Sequence, residues 1–186
     1  MITSRKIYLY IKGNNYSDVI SFLEFYEEFS VRKIQGSYLE ISTDSLVDIE
    51  TMSKARDFSM VELYQDFTAF ICPLNFDFKI QDILDVLPIL TPGIHTIETL
   101  IPEVVLLNKL EFLIRLKDYY YNKFSHDVID TILGFIDQNM NASKTAKVLY
   151  MHRNTLNYRL DNFISKTELD VRSFKGALAI YLLFKR

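Results

Sequence analysis

Asn141-Ala142-Ser143-Lys144-Thr145-Ala146-Lys147-Val148-Leu149-Tyr150-Met151-His152-Arg153-Asn154-Thr155-Leu156-Asn157-Tyr158-Arg159-Leu160 is the stretch that decides how the end of this chain folds. Asn141 has the short polar side chain of a helix N-cap, so a short helix runs from it to about Leu149, with Ala146 and Leu149 facing inward. Tyr150-Met151-His152 reads as a tight connection. From Arg153 to about Lys166 a longer helix places Leu156, Leu160, Phe163 and Ile164 on one apolar face. A short helix, a turn of about three residues and a longer helix is the plan of a helix-turn-helix. Small Ala146 lets the two helices cross closely, and Met151 fills the gap beneath the crossing.

Working outward, Asp127 to Asn139 forms a preceding helix with Val128, Ile129, Ile132, Phe135 and Ile136 on one side. A last helix from near Val171 carries Phe174, Leu178, Tyr181 and Leu182. The face of the 153–166 helix opposite its apolar stripe shows Asn154, Tyr158 and Asp161, flanked by Thr155 and Asn157, with Arg153 at its start. Arg159, Lys144 and Lys147 surround it with positive charge, and Ser143 and His152 complete the polar surface. Asn can bond adenine through two atoms, Arg can take guanine or phosphate, and hydroxyls suit phosphate oxygens. On chemistry alone, a solvated face in an ordinary helical bundle accounts for these residues equally well.

The stretch resembles the C-terminal helix-turn-helix of PucR/CdaR-type regulators. That family's pattern is a small-residue helix ending A-x-x-L, followed by H-R-N-T-L-x-Y-R-L. Its fixed positions are met by Ala146, Leu149 and His152 through Leu160, with Asn157 at the free position. The likeness weakens but continues across 105–186. It implies a Fis-like helix-turn-helix that binds double-stranded DNA through the helix at about 153–166. The DNA-binding residues expected are Ser143, Lys144, His152, Arg153, Asn154, Thr155, Asn157, Tyr158 and Arg159. The alternative is a protein-interaction or scaffold module that keeps the fold without binding DNA; the intact Arg153-Asn154-Thr155 start argues against it.

Upstream, Pro102 and Glu103 suit the first turn of a helix. Leu106, Leu107, Leu110, Leu113, Ile114, Tyr120, Tyr121 and Phe124 then make a broad apolar stripe over a connecting helix, 101–124. A stripe this wide must be covered, by the rest of the chain as the first reading or else by a second copy. A homodimer is expected because one helix-turn-helix of this size meets only half a site. Residues 1–100 read as mixed α and β. Strand signals lie at Lys6–Ile11, ending at Gly13-Asn14-Asn15, and in a hairpin over Val31–Ser42 around Gly36. A helix from Ser17 as N-cap to Phe29 uses Val19, Ile20, Phe22, Leu23 and Tyr26. Residues 45–58 show only a weak helical pattern. Met60–Tyr64 and Phe67–Cys72 read as two strands joined at Gln65-Asp66, followed by a helix from about Ile80 to Leu90 that stops at Thr91-Pro92-Gly93. The fold class expected is α+β: a small N-terminal α/β sandwich of the ferredoxin-like kind over 1–100, then an all-α helix-turn-helix domain over 125–186.

The net charge of −3 hides a division: residues 1–126 balance to −6 and residues 127–186 to +3. An acidic first part beside a mildly basic last part fits a sensing or dimerising module, open to an unknown effector or protein partner, joined to a DNA module. The single cysteine, Cys72, excludes a disulfide framework and a cysteine-based zinc cluster, and its apolar neighbourhood reads as packing. His152 has no second ligand at metal spacing, so turn capping or a phosphate contact is the expectation; His95 and His126 are isolated. Glu24, Glu27 and Glu28 read as a solvated face, and Tyr119-Tyr120-Tyr121 as a packed junction rather than a stacking platform. There is no Gly-rich phosphate loop, nucleophile elbow or paired-carboxylate motif. No enzyme, metal or cofactor is therefore expected, nor any membrane partner, because charges interrupt every apolar run and no signal-type block follows Met1. The expected location is cytoplasmic.

Overall fold

The computed structural model describes residues 4–13, 16–25, 29–44 and 49–185. Asn14 and Asn15 of the expected turn, and Tyr26, Glu27 and Glu28 of the expected helix, lie outside them, as do residues 45–48 and the start of the chain at Met1. The chain divides into two compact units, Met1–Ile97 and Glu98–Arg186.

The first unit is built on strands β1 (Arg5–Ile11), β2 (Ser30–Gln35), β3 (Tyr38–Thr43), β4 (Phe67–Ile71) and β5 (Ile94–His95). Helices α1 (Tyr16–Glu24) and α2 (Ile49–Glu62) form the two crossovers, and α3 (Ile80–Val86) with a 3-10 turn (Leu87–Ile89) leads to β5. The sheet order is β2-β3-β1-β4-β5. β1 pairs antiparallel with β3, Leu9 opposite Leu39, and with β4, Leu9 opposite Ala69. The hairpin turns at Gly36, whose φ of 51° suits a residue without Cβ. Strand, helix, two strands, helix, strand in this order is the ferredoxin-like arrangement, extended by β5 parallel to β4.

Alternation along the strands sends Ile7, Leu9, Ile11, Leu39, Ile41, Phe67, Ala69 and Ile71 into one core with Val19, Leu23, Met52 and Ala55 of the helices. Phe22 of α1 stacks on Phe58 of α2 at 4.3 Å. Every residue of β4 is buried, so it shows a continuous apolar run rather than alternation. Cys72 is buried at its end.

Met60–Tyr64 is not a strand; Met60 to Glu62 finish α2, and Val61 and Tyr64 are exposed. The helix buries only Met52, Ala55 and Ser59, so small residues hide its apolar period. Its end is closed by Arg56, which bonds both Asp66 oxygens at 2.6 and 2.9 Å, and by Ser59 Oγ donating to the Gln65 carbonyl at 2.8 Å. Ser17 is not an N-cap, because α1 already begins at Tyr16. The helix expected over 80–90 splits into α3 and the 3-10 turn, since Pro88 carries no N–H to continue an α-helical ladder.

The second unit comprises α4 (Ile97–Leu106), α5 (Leu110–Lys123), α6 (His126–Asp137), α7 (Ala142–Val148), α8 (Arg153–Thr167) and α9 (Phe174–Lys185). Pro102 sits inside α4 rather than in its first turn. The stripe from Leu106 to Phe124 does not lie on one helix: Asn108 takes φ 55° and the chain turns there. The Lys109 N–H bonds the Val104 carbonyl and the Asn108 N–H the Val105 carbonyl, each at 3.1 Å, a Schellman helix end with Asn in the left-handed position. Consequently Leu113, Tyr120 and Phe124 are buried while Leu106, Leu107, Leu110 and Ile114 are exposed. Tyr120 packs between Phe163 and Phe184, and Tyr121 lies edge-on to Phe184. Burial pushes the Tyr120 phenol well above its ordinary pKa, so it stays neutral. The tyrosine run is a packed junction.

Candidate nucleic-acid interface

Helices α6, α7 and α8 are held by residues whose roles are local and specific. Asn141 caps α7, its Oδ1 accepting the Lys144 N–H at 3.0 Å, and the buried Thr145 donates to the Asn141 carbonyl at 2.8 Å. Ala146 is buried at the α7–α8 crossing. Gly134 of α6 leaves room for Leu149, whose Cδ1 stands 3.1 Å from where a Cβ would be. His152 caps α8: its Nδ1 accepts the Asn154 N–H at 3.2 Å, which puts the hydrogen of a neutral imidazole on the outward Nε2. Leu156, Leu160 and Phe163 are fully buried and Ile164 partly so.

The opposite side of this arrangement is open. Ser143, Lys144, His152, Arg153, Asn154, Thr155 and Tyr158 are exposed, and Asn157 is half-buried beside them. The side chains of Lys144, Lys147 and Arg153 have no ion-pair partner among the described residues. Asp161, the acid on this face, is paired with Arg172 at 2.7 Å. From Gln138 to Leu160 the sequence contains four Lys/Arg and no Asp or Glu. The surface therefore offers donors and positive charge in one place.

Arg159 stands apart from the other residues expected to meet DNA. Its Nη1 donates to Thr131 Oγ1 at 2.6 Å and to the Asp127 carbonyl at 3.1 Å, so it braces α8 against α6. Sequence spacing placed Arg159 among the surface cations because Thr131 and Asp127 are about thirty residues away in the chain. On α9 the buried residues are Gly176, Ala177, Ala179, Ile180, Leu183 and Phe184, whereas Phe174, Leu178 and Tyr181 face outward, the reverse of the expected stripe. Lys185 of α9 bonds Asp137 of α6 at 3.0 Å, which raises the Lys185 pKa.

Residues 128–185 match the family model of the PucR C-terminal helix-turn-helix domain. The match covers just under a third of the chain. Over 53 residues, 28% of its length, the chain is 49% identical to the uncharacterized protein YxkF of Bacillus subtilis, of which that stretch is 18%. Over 68 residues, 37% of its length, the chain is 31% identical to the DNA-binding transcriptional activator AdeR of the same organism, of which the stretch is 16%. The chain thus spans less than a fifth of the length of these curated relatives. The fold as a whole resembles the crystal structure of a regulator of polyketide synthase expression from Bifidobacterium adolescentis. That likeness has a TM-score of 0.52 over 98% of this chain and 80% of the other, at 16% identity. Among the described residues no group of three His, Cys, Asp or Glu is placed to hold a metal ion, and no helix is long and apolar enough to cross a membrane.

Proposed function

We propose that this chain is a transcription regulator that binds double-stranded DNA, with α8 entering the major groove. The observation that carries the reading is the acid-free segment 138–160, which folds so that Lys144, Lys147 and Arg153 stand exposed beside the donors of α8. Arg153, Asn154, Thr155, Asn157 and Tyr158 face base edges and adjoining phosphates; Ser143, Lys144 and the His152 Nε2–H hold the backbone. Arg159 serves the same function indirectly, by fixing α8 on α6.

A single half-site gives limited affinity and specificity, so the active form is a homodimer on two half-sites about one helical turn apart. The exposed Leu106, Leu107, Leu110 and Ile114 offer apolar surface for pairing. The N-terminal unit then orients the two DNA domains or receives an effector or partner. Such a protein works in the cytoplasm, where the DNA is.

The full chain should retard genomic fragments in a low-salt mobility-shift assay. Arg153→Ala should weaken binding by about 1–3 kcal/mol with the fold unchanged. No retardation at low salt removes the reading, and a monomer by light scattering, free and on DNA, removes the dimer.

A further inference from the structure

Three helix ends in the second unit share one geometry, and one of them carries an ill-suited residue. Asn108, Asn139 and Tyr150 all take left-handed backbone, with φ of 55°, 55° and 50°. Each end is closed in the Schellman manner; at the third, the Met151 N–H bonds the Ala146 carbonyl at 3.0 Å and the Tyr150 N–H the Lys147 carbonyl at 3.3 Å. Glu168 at the end of α8 is left-handed too, at 55°, closed instead by its N–H bonding the Ile164 carbonyl. Glycine suits this position for want of a Cβ and asparagine tolerates it through its short polar side chain, whereas a large side chain is disfavoured. A tyrosine there gains nothing from packing either, because Tyr150 is 97% exposed. Local structure therefore gives no reason for the ring.

Its surroundings give one. Tyr150 lies in the turn between α7 and α8, three residues after Lys147 in the last turn of α7 and two before His152, the N-cap of α8. Lys147 is exposed and without an ion-pair partner among the described residues. Both lie inside the acid-free segment 138–160. Tyr64 makes an internal comparison: it too is left-handed, φ 53°, and exposed, but Glu62 and Asp66 flank it.

We propose that Tyr150, with Lys147, forms a clamp on the DNA sugar-phosphate backbone beside the groove that α8 enters, the phenol O–H donating to a phosphate oxygen. This rests on the DNA-binding reading above and adds Tyr150, a residue that the reading does not need. A phosphate contact carries no sequence information, so the clamp strengthens binding to all duplexes alike and fixes the angle at which α8 enters.

The test compares Tyr150→Gly, Tyr150→Phe and Tyr64→Gly in the full chain, by fluorescence anisotropy with a genomic fragment the protein binds and a random-sequence duplex. Both glycine variants relieve a left-handed tyrosine, so neither should lower the melting temperature. Tyr150→Gly and Tyr150→Phe should lose about tenfold in affinity for both duplexes, and Tyr64→Gly should lose none. Wild-type affinity in Tyr150→Gly, full affinity in Tyr150→Phe, or an equal loss in Tyr64→Gly overturns the clamp while leaving DNA binding intact. Failure of the wild-type protein to bind either duplex overturns the DNA reading itself and the clamp with it.

Discussion

Replacing Arg159 by methionine separates bracing of the domain from contact with DNA. Methionine keeps much of the aliphatic stem and removes both hydrogen bonds from Nη1, at 2.6 Å to Thr131 Oγ1 and 3.1 Å to the Asp127 carbonyl. A bond from a charged donor contributes roughly 1.5–3 kcal/mol when its loss strands a buried partner. The Asp127 carbonyl is not stranded, because it also accepts from Thr131 Oγ1 at 2.6 Å. Arg159 is only half-buried, so water replaces part of what is lost. The expected cost is about 1–2 kcal/mol. For a unit the size of Glu98–Arg186 this lowers the melting temperature by roughly 5–15 °C in a calorimetric scan. DNA affinity measured well below the transition should change by less than about threefold, with its salt dependence unaltered. An unchanged melting temperature together with a salt slope smaller by about one phosphate would show that Arg159 meets DNA and refute the bracing role.

Ala146→Leu should overpack the α7–α8 crossing and cost about 1–3 kcal/mol, read from the urea midpoint. Gly176→Ala reverses the usual gain of an alanine in a helix, because the new methyl runs into the Asp170 carbonyl oxygen; a melting temperature that rises instead of falling contradicts that junction. Burial pushes the Cys72 thiol far above its ordinary pKa, so iodoacetamide at about pH 8 should label it only after unfolding, by mass spectrometry.

Legibility of the fold in the sequence followed the size and separation of the residues that hold it. The α7–α8 pair could be read because its cap, its small crossing residue and the Leu156, Leu160, Phe163 stripe are all local. α2 could not, because it buries Met52, Ala55 and Ser59, of which only one is a large apolar side chain. The ferredoxin-like class still emerged, since β1 and the hairpin about Gly36 carry plain signals. Asn108 was the available sign that the Leu106–Phe124 stripe breaks; asparagine tolerates the left-handed backbone of a helix end. Within the site, exposure of Arg153, Asn154, Thr155 and Tyr158 followed from helical phase alone. The tie of Arg159 to α6 depends on Thr131 and Asp127, partners that no local periodicity reveals.

Salt dependence of DNA affinity tests the central claim most directly. With Lys144, Lys147 and Arg153 each neutralising a phosphate, log K against log salt should fall with a slope of about −3 per bound subunit, and Arg153→Ala should reduce it by about 1. Binding that is absent at low salt, or present but indifferent to salt, contradicts a DNA-reading role for the exposed α7–α8 surface.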